Sequence, residues 1–158
     1  VENHLARYAL VELENLHDDS QQFEPIHRVI TGTDVQELIE AMKEQCCGEN
    51  GQEIRCYYGN KEEVLHLNLH EHQLAVDKVQ IFLDEYLKEN SGVIDYIHGE
   101  DVLRKLASQE NAVGIELPAM EKDQLFPSVM TDGTLPRKTF SMGHASEKRY
   151  YIEGRAIK

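Results

Sequence analysis

Six side chains in this sequence are candidates to hold an anion: His27, Arg28, His98, Arg137, Lys138 and Arg149. Guanidinium and ammonium groups grip phosphate or carboxylate through charge-assisted hydrogen bonds, and imidazole adds a donor that titrates near neutrality. Three of the six lie in the last stretch of the chain, Gly133 to Lys158, where Arg137, Lys138, Lys148, Arg149, Arg155 and Lys158 face only Glu147 and Glu153. The chain as a whole carries a net charge of −13, so this basic segment reverses the sign of what precedes it. His144, Ser146, Lys148 and Arg149 surround a turn, and pairing of 137–142 with 148–155 gathers most of these cations near one end of a hairpin. Such a cluster either holds an anion or neutralises the acidic body. Both readings stand.

The sequence Glu24-Pro25-Ile26-His27-Arg28 alternates as a strand. Period two puts His27 and Val29 on one face, and Ile26, Arg28 and Ile30 on the other. An arginine on a mostly apolar strand needs a partner, such as a carboxylate or a ligand anion, and a structural salt bridge is the expected case. Tyr96-Ile97-His98-Gly99-Glu100-Asp101 puts a histidine and a glycine between a strand and a helix. The free N–H groups there suit an anion, while Glu100 and Asp101 equally complement the helix dipole.

His66, His70 and His72 in LHLNLHEH invite a metal reading. Their spacing is not the H-E-x-x-H pattern that puts two imidazoles on one helix face, and an exposed polar connection accounts for them as well. We expect no physiological metal site. Cys46, Cys47 and Cys56 are odd in number and match neither C-x-x-C nor a zinc ribbon, so Cys46 is expected to close a helix face and Cys56 to pack in a strand. Unpaired thiols fit the cytoplasm. The chain has no Walker A sequence, no G-x-G-x-x-G and no G-x-S-x-G, which removes a standard phosphate loop and a nucleophile elbow. Net negative charge argues against nucleic acid as a partner. There is no apolar run long enough to span a membrane.

These residues need a scaffold, and the hydrophobic spacing supplies one. Near-continuous apolar sequence at 6–13 and the run at 25–30 read as strands. Asp34 with Glu37 three residues on is a capping pair, followed by Val35, Leu38, Ile39, Met42 and Cys46 at helical spacing, so a helix runs from 34 to 46. Gly48 to Gly51 breaks it. Segments 53–58 and 63–67 flank Gly59-Asn60-Lys61 as a β-hairpin. A strongly amphipathic helix spans 74–89 and stops at Asn90-Ser91-Gly92. A strand at 93–97, a short helix at 100–108, a strand at 112–117 and a short helix near 121–130 follow, before the paired strands of the basic segment. At 158 residues this is one domain. The order of elements favours an α+β fold, with a mixed β-sheet, two hairpins and three to four packed helices.

Several segments together resemble a known family: RYALVELENLHDD, FEPIHRVITG, IDYIHGEDVLRKLA, AVGIELPAM, LFPSVMTDGTLPRKTFSMG and EKRYYIEGR. They look, in order, like the C-terminal half of the bacterial family known as domain of unknown function 1015, whose members are longer and have no established general activity. The resemblance implies an N-terminal half with an Ala-Asp-Gly-(Asn or His)-His motif similar to ParB/sulfiredoxin-type proteins, a group with nucleotide-using enzymes and a free-serine kinase. That motif is expected shortly before Val1. The implied partners are the missing N-terminal half and a phosphate or nucleotide ligand, with a homo-oligomer open; the cofactor is unknown. His27-Arg28, His98-Gly99 and the Pro136/Lys138 segment carry over. Many members read Pro-x-Lys-Ser-Thr there, whereas this chain reads Pro136-Arg137-Lys138-Thr139-Phe140 and lacks the serine. The chain by itself is expected to be inert, completing a phosphotransferase-like site. The alternative is an interaction or oligomerisation module.

Overall fold

The computed structural model describes residues 22–143, with Asn15 and Asp18. The strand expected at 6–13 and the hairpin partner at 148–155 lie outside the described residues, as does Arg149. The elements in order are β1 (Phe23–Thr31), α1 (Val35–Cys46), β2 (Cys47–Tyr58), β3 (Lys61–Leu67), α2 (Ala75–Glu89), β4 (Val93–His98), α3 (Glu100–Ala107), β5 (Ala112–Glu116), α4 (Leu125–Asp132) and β6 (Phe140–Met142). This is an α+β fold, as the pattern of elements predicts.

The sheet order is β3-β2-β5-β1-β4, with β6 pairing the start of β1. All pairings among the described strands are antiparallel, which corrects the expected mixed sheet. The reason is topological. The crossover through α1 does return β2 in the same direction as β1, but β5 inserts between them. The parallel neighbours that a β–α–β crossover creates therefore never touch.

Local chemistry places the helices. Asp34 caps α1, its Oδ1 accepting the Glu37 N–H at 3.0 Å, and Leu38, Ile39, Met42 and Cys46 form its buried stripe. Val76, Val79, Phe82, Leu83 and Tyr86 do the same for α2. Both pack on the face of the sheet that bears Ile30, forming the larger core. Cys46 and Cys56 lie in that core as their spacing implied. The expected break at 48–51 is instead a bulge inside β2, where Cys47 and Gln52 both oppose Leu67. Gly51 is required there, because an added Cβ would sit 1.9 Å from the Leu67 carbonyl oxygen.

On the opposite face, α3 packs through Leu103 and Ala107 against Val29, Tyr57 and Ile97. It approaches so closely because β5 has Gly114 under it: an added Cβ would meet the Ala107 Cβ at 2.9 Å and Leu103 at 3.1 Å. Gly114→Ala is therefore expected to lower stability by about 1–3 kcal/mol through overpacking. A shift of the urea midpoint at unchanged slope measures it, and an unshifted midpoint would show that α3 yields freely.

Candidate anion-binding site

β1 is the central strand at its C-terminal half, flanked by β4 and β5, and it carries Arg28 into the interior with 0 % exposure. The Arg28 Nε donates to Gln80 Oε1 at 3.1 Å. One terminal nitrogen donates to the carbonyls of Ile26 at 2.5 Å and Lys138 at 2.9 Å, and the other to the Arg137 carbonyl at 3.0 Å. The guanidinium lies 4.9 Å from the ring centre of Tyr96, the residue opposite it on β4. No described carboxylate bonds to it, which corrects the structural salt bridge expected from sequence. A flat group with five donors can be satisfied by carbonyl dipoles and one amide instead. Burial pulls its pKa down to about 10, which leaves it cationic at neutral pH.

The consequence is a fixed turn. The Thr139 hydroxyl donates to the Pro136 carbonyl at 2.7 Å, and Arg28 holds the next two carbonyls. Arg137 and Lys138 thus belong to this turn, and β6 begins only at Phe140, correcting the strand expected from 137. Lys138 sits at φ +57°, in the left-handed region that a lysine seldom occupies. Its side chain is exposed, and no hydrogen bond or ion pair holds its ammonium group among the described residues. Arg137 reaches Asp84 at 2.6 Å and the Tyr96 hydroxyl at 2.5 Å. Asp84 also accepts from the Gln80 amide at 2.8 Å, which closes a ring of Arg28, Gln80, Asp84, Arg137 and Tyr96.

His98 stands opposite Ile26, hence on the Arg28 face, and its Nε2 pairs with Glu24. The structure thus brings Arg28, His98, Arg137 and Lys138 to one face. His27 faces the other way. Its Nδ1 accepts the Leu117 N–H at 3.1 Å in the interior, so the neutral ring carries its proton on Nε2. Burial lowers its pKa from 6.5; Glu116 and Glu100 oppose the shift, and His98 and Arg28 add to it. The unfolded chain thus binds more protons below pH 6.5, and stability from this group is complete above that pH and falls as pH drops toward the depressed folded value. His27→Gln keeps an acceptor for Leu117 without titrating. It is expected to flatten the fall in unfolding free energy below pH 6.5, and an equal pH slope in both proteins would refute this role.

The α3 N-terminus offers little to an anion, because Glu100 occupies it and binds Arg104 at 2.8 Å. Arg104 also donates to the Tyr57 hydroxyl at 2.7 Å, lies 4.1 Å from that ring's centre, and pairs with Glu62. Tyr57 in turn bonds Glu116. This network ties α3 to β2, β3 and β5. It escaped sequence reading because its members come from four separate elements. Gln80 had a visible signal: it is a polar residue on the apolar stripe of α2, next to Val76, Val79 and Leu83.

His66 is exposed on β3, His70 lies 3.3 Å from Asp132, and His72 lies 3.7 Å from Glu71. Among the described residues no group of three His, Cys, Asp or Glu is arranged to hold a metal ion. No described helix is long and apolar enough to cross a membrane. Beside the Lys138 turn a cleft of about 360 Å³ opens between α2 and the segment after α4, with Gln80, Asp84 and Arg137 in its wall.

The family model described as "Protein of unknown function (DUF1015)" matches residues 1–151. No curated protein matches the chain. Among solved structures, the chain is similar to a point mutant of a free serine kinase in complex with AMP, at 19% identity and a TM-score of 0.56. The match covers 82% of this chain and 57% of that one, and at this identity it speaks for the fold alone.

Proposed function

The chain belongs to the DUF1015 family, and on that premise we propose that it supplies the anion-holding wall of a small-molecule phosphate site. Lys138 and Arg137 make the contacts, Arg28 is the positioning residue behind them, and His98 with Glu24 flanks them. His27 faces away from this wall, and Arg149 is proposed as a further cation of it. The observation that carries the reading is Lys138 itself. A lysine at φ +57° costs on the order of 1 kcal/mol. Here two part-buried guanidinium bonds, to the Lys138 and Arg137 carbonyls, hold that conformation while its ammonium group remains exposed and unpaired among the described residues.

The solved kinase was captured with AMP, which makes a nucleotide or another phosphate compound the first class to test. The reacting groups belong, on this reading, to an N-terminal half, and the present chain is inert without it. The cytoplasm is the compartment proposed. Lys138→Ala removes the ammonium group while leaving a non-glycine residue at the same φ, so the turn is disturbed little. In the intact protein this variant is expected to bind AMP or pyrophosphate about tenfold more weakly, at an unchanged melting temperature. Equal affinity would sink the proposal.

A second reading rests on α4, whose Phe126 and Met130 are exposed, Met130 at 86 %. That apolar face suits docking of the same N-terminal half, or of a second copy. Loss of assembly in Met130→Glu with ligand binding retained would favour it.

A further inference from the structure

We infer that the cleft beside the Lys138 turn takes a small molecule bearing a primary ammonium group together with its phosphate or carboxylate. The inference rests on the anion site proposed above and names the rest of the ligand. The cleft shares Arg137 with that site, and among the described residues Asp77, Asp84 and Asp132 line it together with that one arginine. Two of the carboxylates already have a side-chain partner, Asp84 in Arg137 and Asp132 in the His70 ring 3.3 Å away. Asp77 makes no such pair among the described residues, and His70 acts on it only at longer range. It is 7 % exposed, and the bond it makes is to the Leu74 N–H, 3.3 Å from its Oδ2.

A carboxylate at the start of α2 does complement the helix dipole. That role asks neither for burial nor for a place in a cleft wall with Asp132 as an electrostatic neighbour, an arrangement that raises its proton affinity. Asp77 therefore faces the cleft with its Leu74 bond made and no cation against it among the described residues, and a ligand ammonium group would supply one. A primary ammonium group, compact and with three donors, meets Asp77 and the amide oxygen of Gln73. No phenylalanine, tyrosine or tryptophan is among the described residues that line the cleft, and a volume of about 360 Å³ suits a small polar molecule.

Calorimetric titration of the intact protein with phosphoethanolamine, ethanolamine, glycerol phosphate and inorganic phosphate tests this. Phosphoethanolamine is expected to bind about tenfold more tightly than glycerol phosphate, which has the same anion and no amine. Asp77→Asn retains an oxygen for the Leu74 N–H and is expected to erase that preference while leaving inorganic phosphate binding unchanged. Equal affinity of the two esters in the parent protein, or a preference that survives in Asp77→Asn, overturns the inference. Failure of inorganic phosphate to bind, with ethanolamine bound in an Asp77-dependent way, discards the anion site and keeps the amine pocket. Failure of every ligand overturns both.

Discussion

Replacing Arg28 with Met is expected to lower the unfolding free energy by about 3–5 kcal/mol, the range for removing one member of a buried ionic arrangement. Met fills much of the stem volume, so the loss comes from what the guanidinium leaves behind. Gln80 loses the donor to its Oε1, and the carbonyls of Ile26, Arg137 and Lys138 lose theirs, in a region with little water to replace it. Each buried acceptor left unpaired costs about 1–3 kcal/mol where it cannot relax toward solvent. The turn then has less to hold Lys138 at positive φ, so anion affinity is expected to fall with stability. Arg28→Lys is no rescue, because one ammonium group cannot span four acceptors spread over β1, α2 and the turn. Chemical denaturation of both variants measures the effect. A loss below about 1 kcal/mol in Arg28→Met would mean that the turn stands without its clamp.

Leu103→Ala is expected to cost about 2–5 kcal/mol. Leu103 is fully buried at the centre of the smaller core, with Val29, Tyr57, Ile97 and Ala107 around it. Its side chain lies over Gly114, so truncation leaves a void that backbone cannot fill. α3 has eight residues, too few to be helical without its packing. Hydrogen exchange should therefore quicken throughout α3 before it does in α2, which has fifteen residues and packs in the other core. Uniform exchange of the two helices would show that the cores are one cooperative unit. His98 lies one residue, Gly99, ahead of α3, but its Glu24 partner is on β1. The variant thus also separates stability from the anion corner, where binding is expected to persist.

Sequence reading found the local elements because each depends on near neighbours. Asp34 caps α1 from three residues away, the apolar stripes of α1 and α2 repeat within a few turns, and Gly59-Asn60 closes the β2–β3 hairpin on its own. It failed wherever a residue's partner was distant in the chain. Arg28 was visible as an arginine that needed company, but its company lies 52 and about 110 positions away. Nothing in the sequence separates a carboxylate partner from backbone carbonyls. The bulge in β2 was read as a break for the same reason, since Gly48 to Gly51 is tolerated in a strand only because Leu67 lies across from it.

The sequence by itself determined the α+β class, the helix and strand positions between residues 23 and 132 apart from the start of β2, the alternation that sends His27 and Arg28 to opposite faces, and the family resemblance. Tertiary structure decided the antiparallel sheet, by inserting β5 between β1 and β2, and it decided which cations act together. It turned His27 toward Leu117, gave His98 to Glu24, and fixed Arg137 and Lys138 in a turn rather than a strand. The physical reason is that secondary structure is set by short-range dihedral and packing preferences. A charged side chain's role is set by desolvation and by donors and acceptors that only the folded chain brings within about 3 Å.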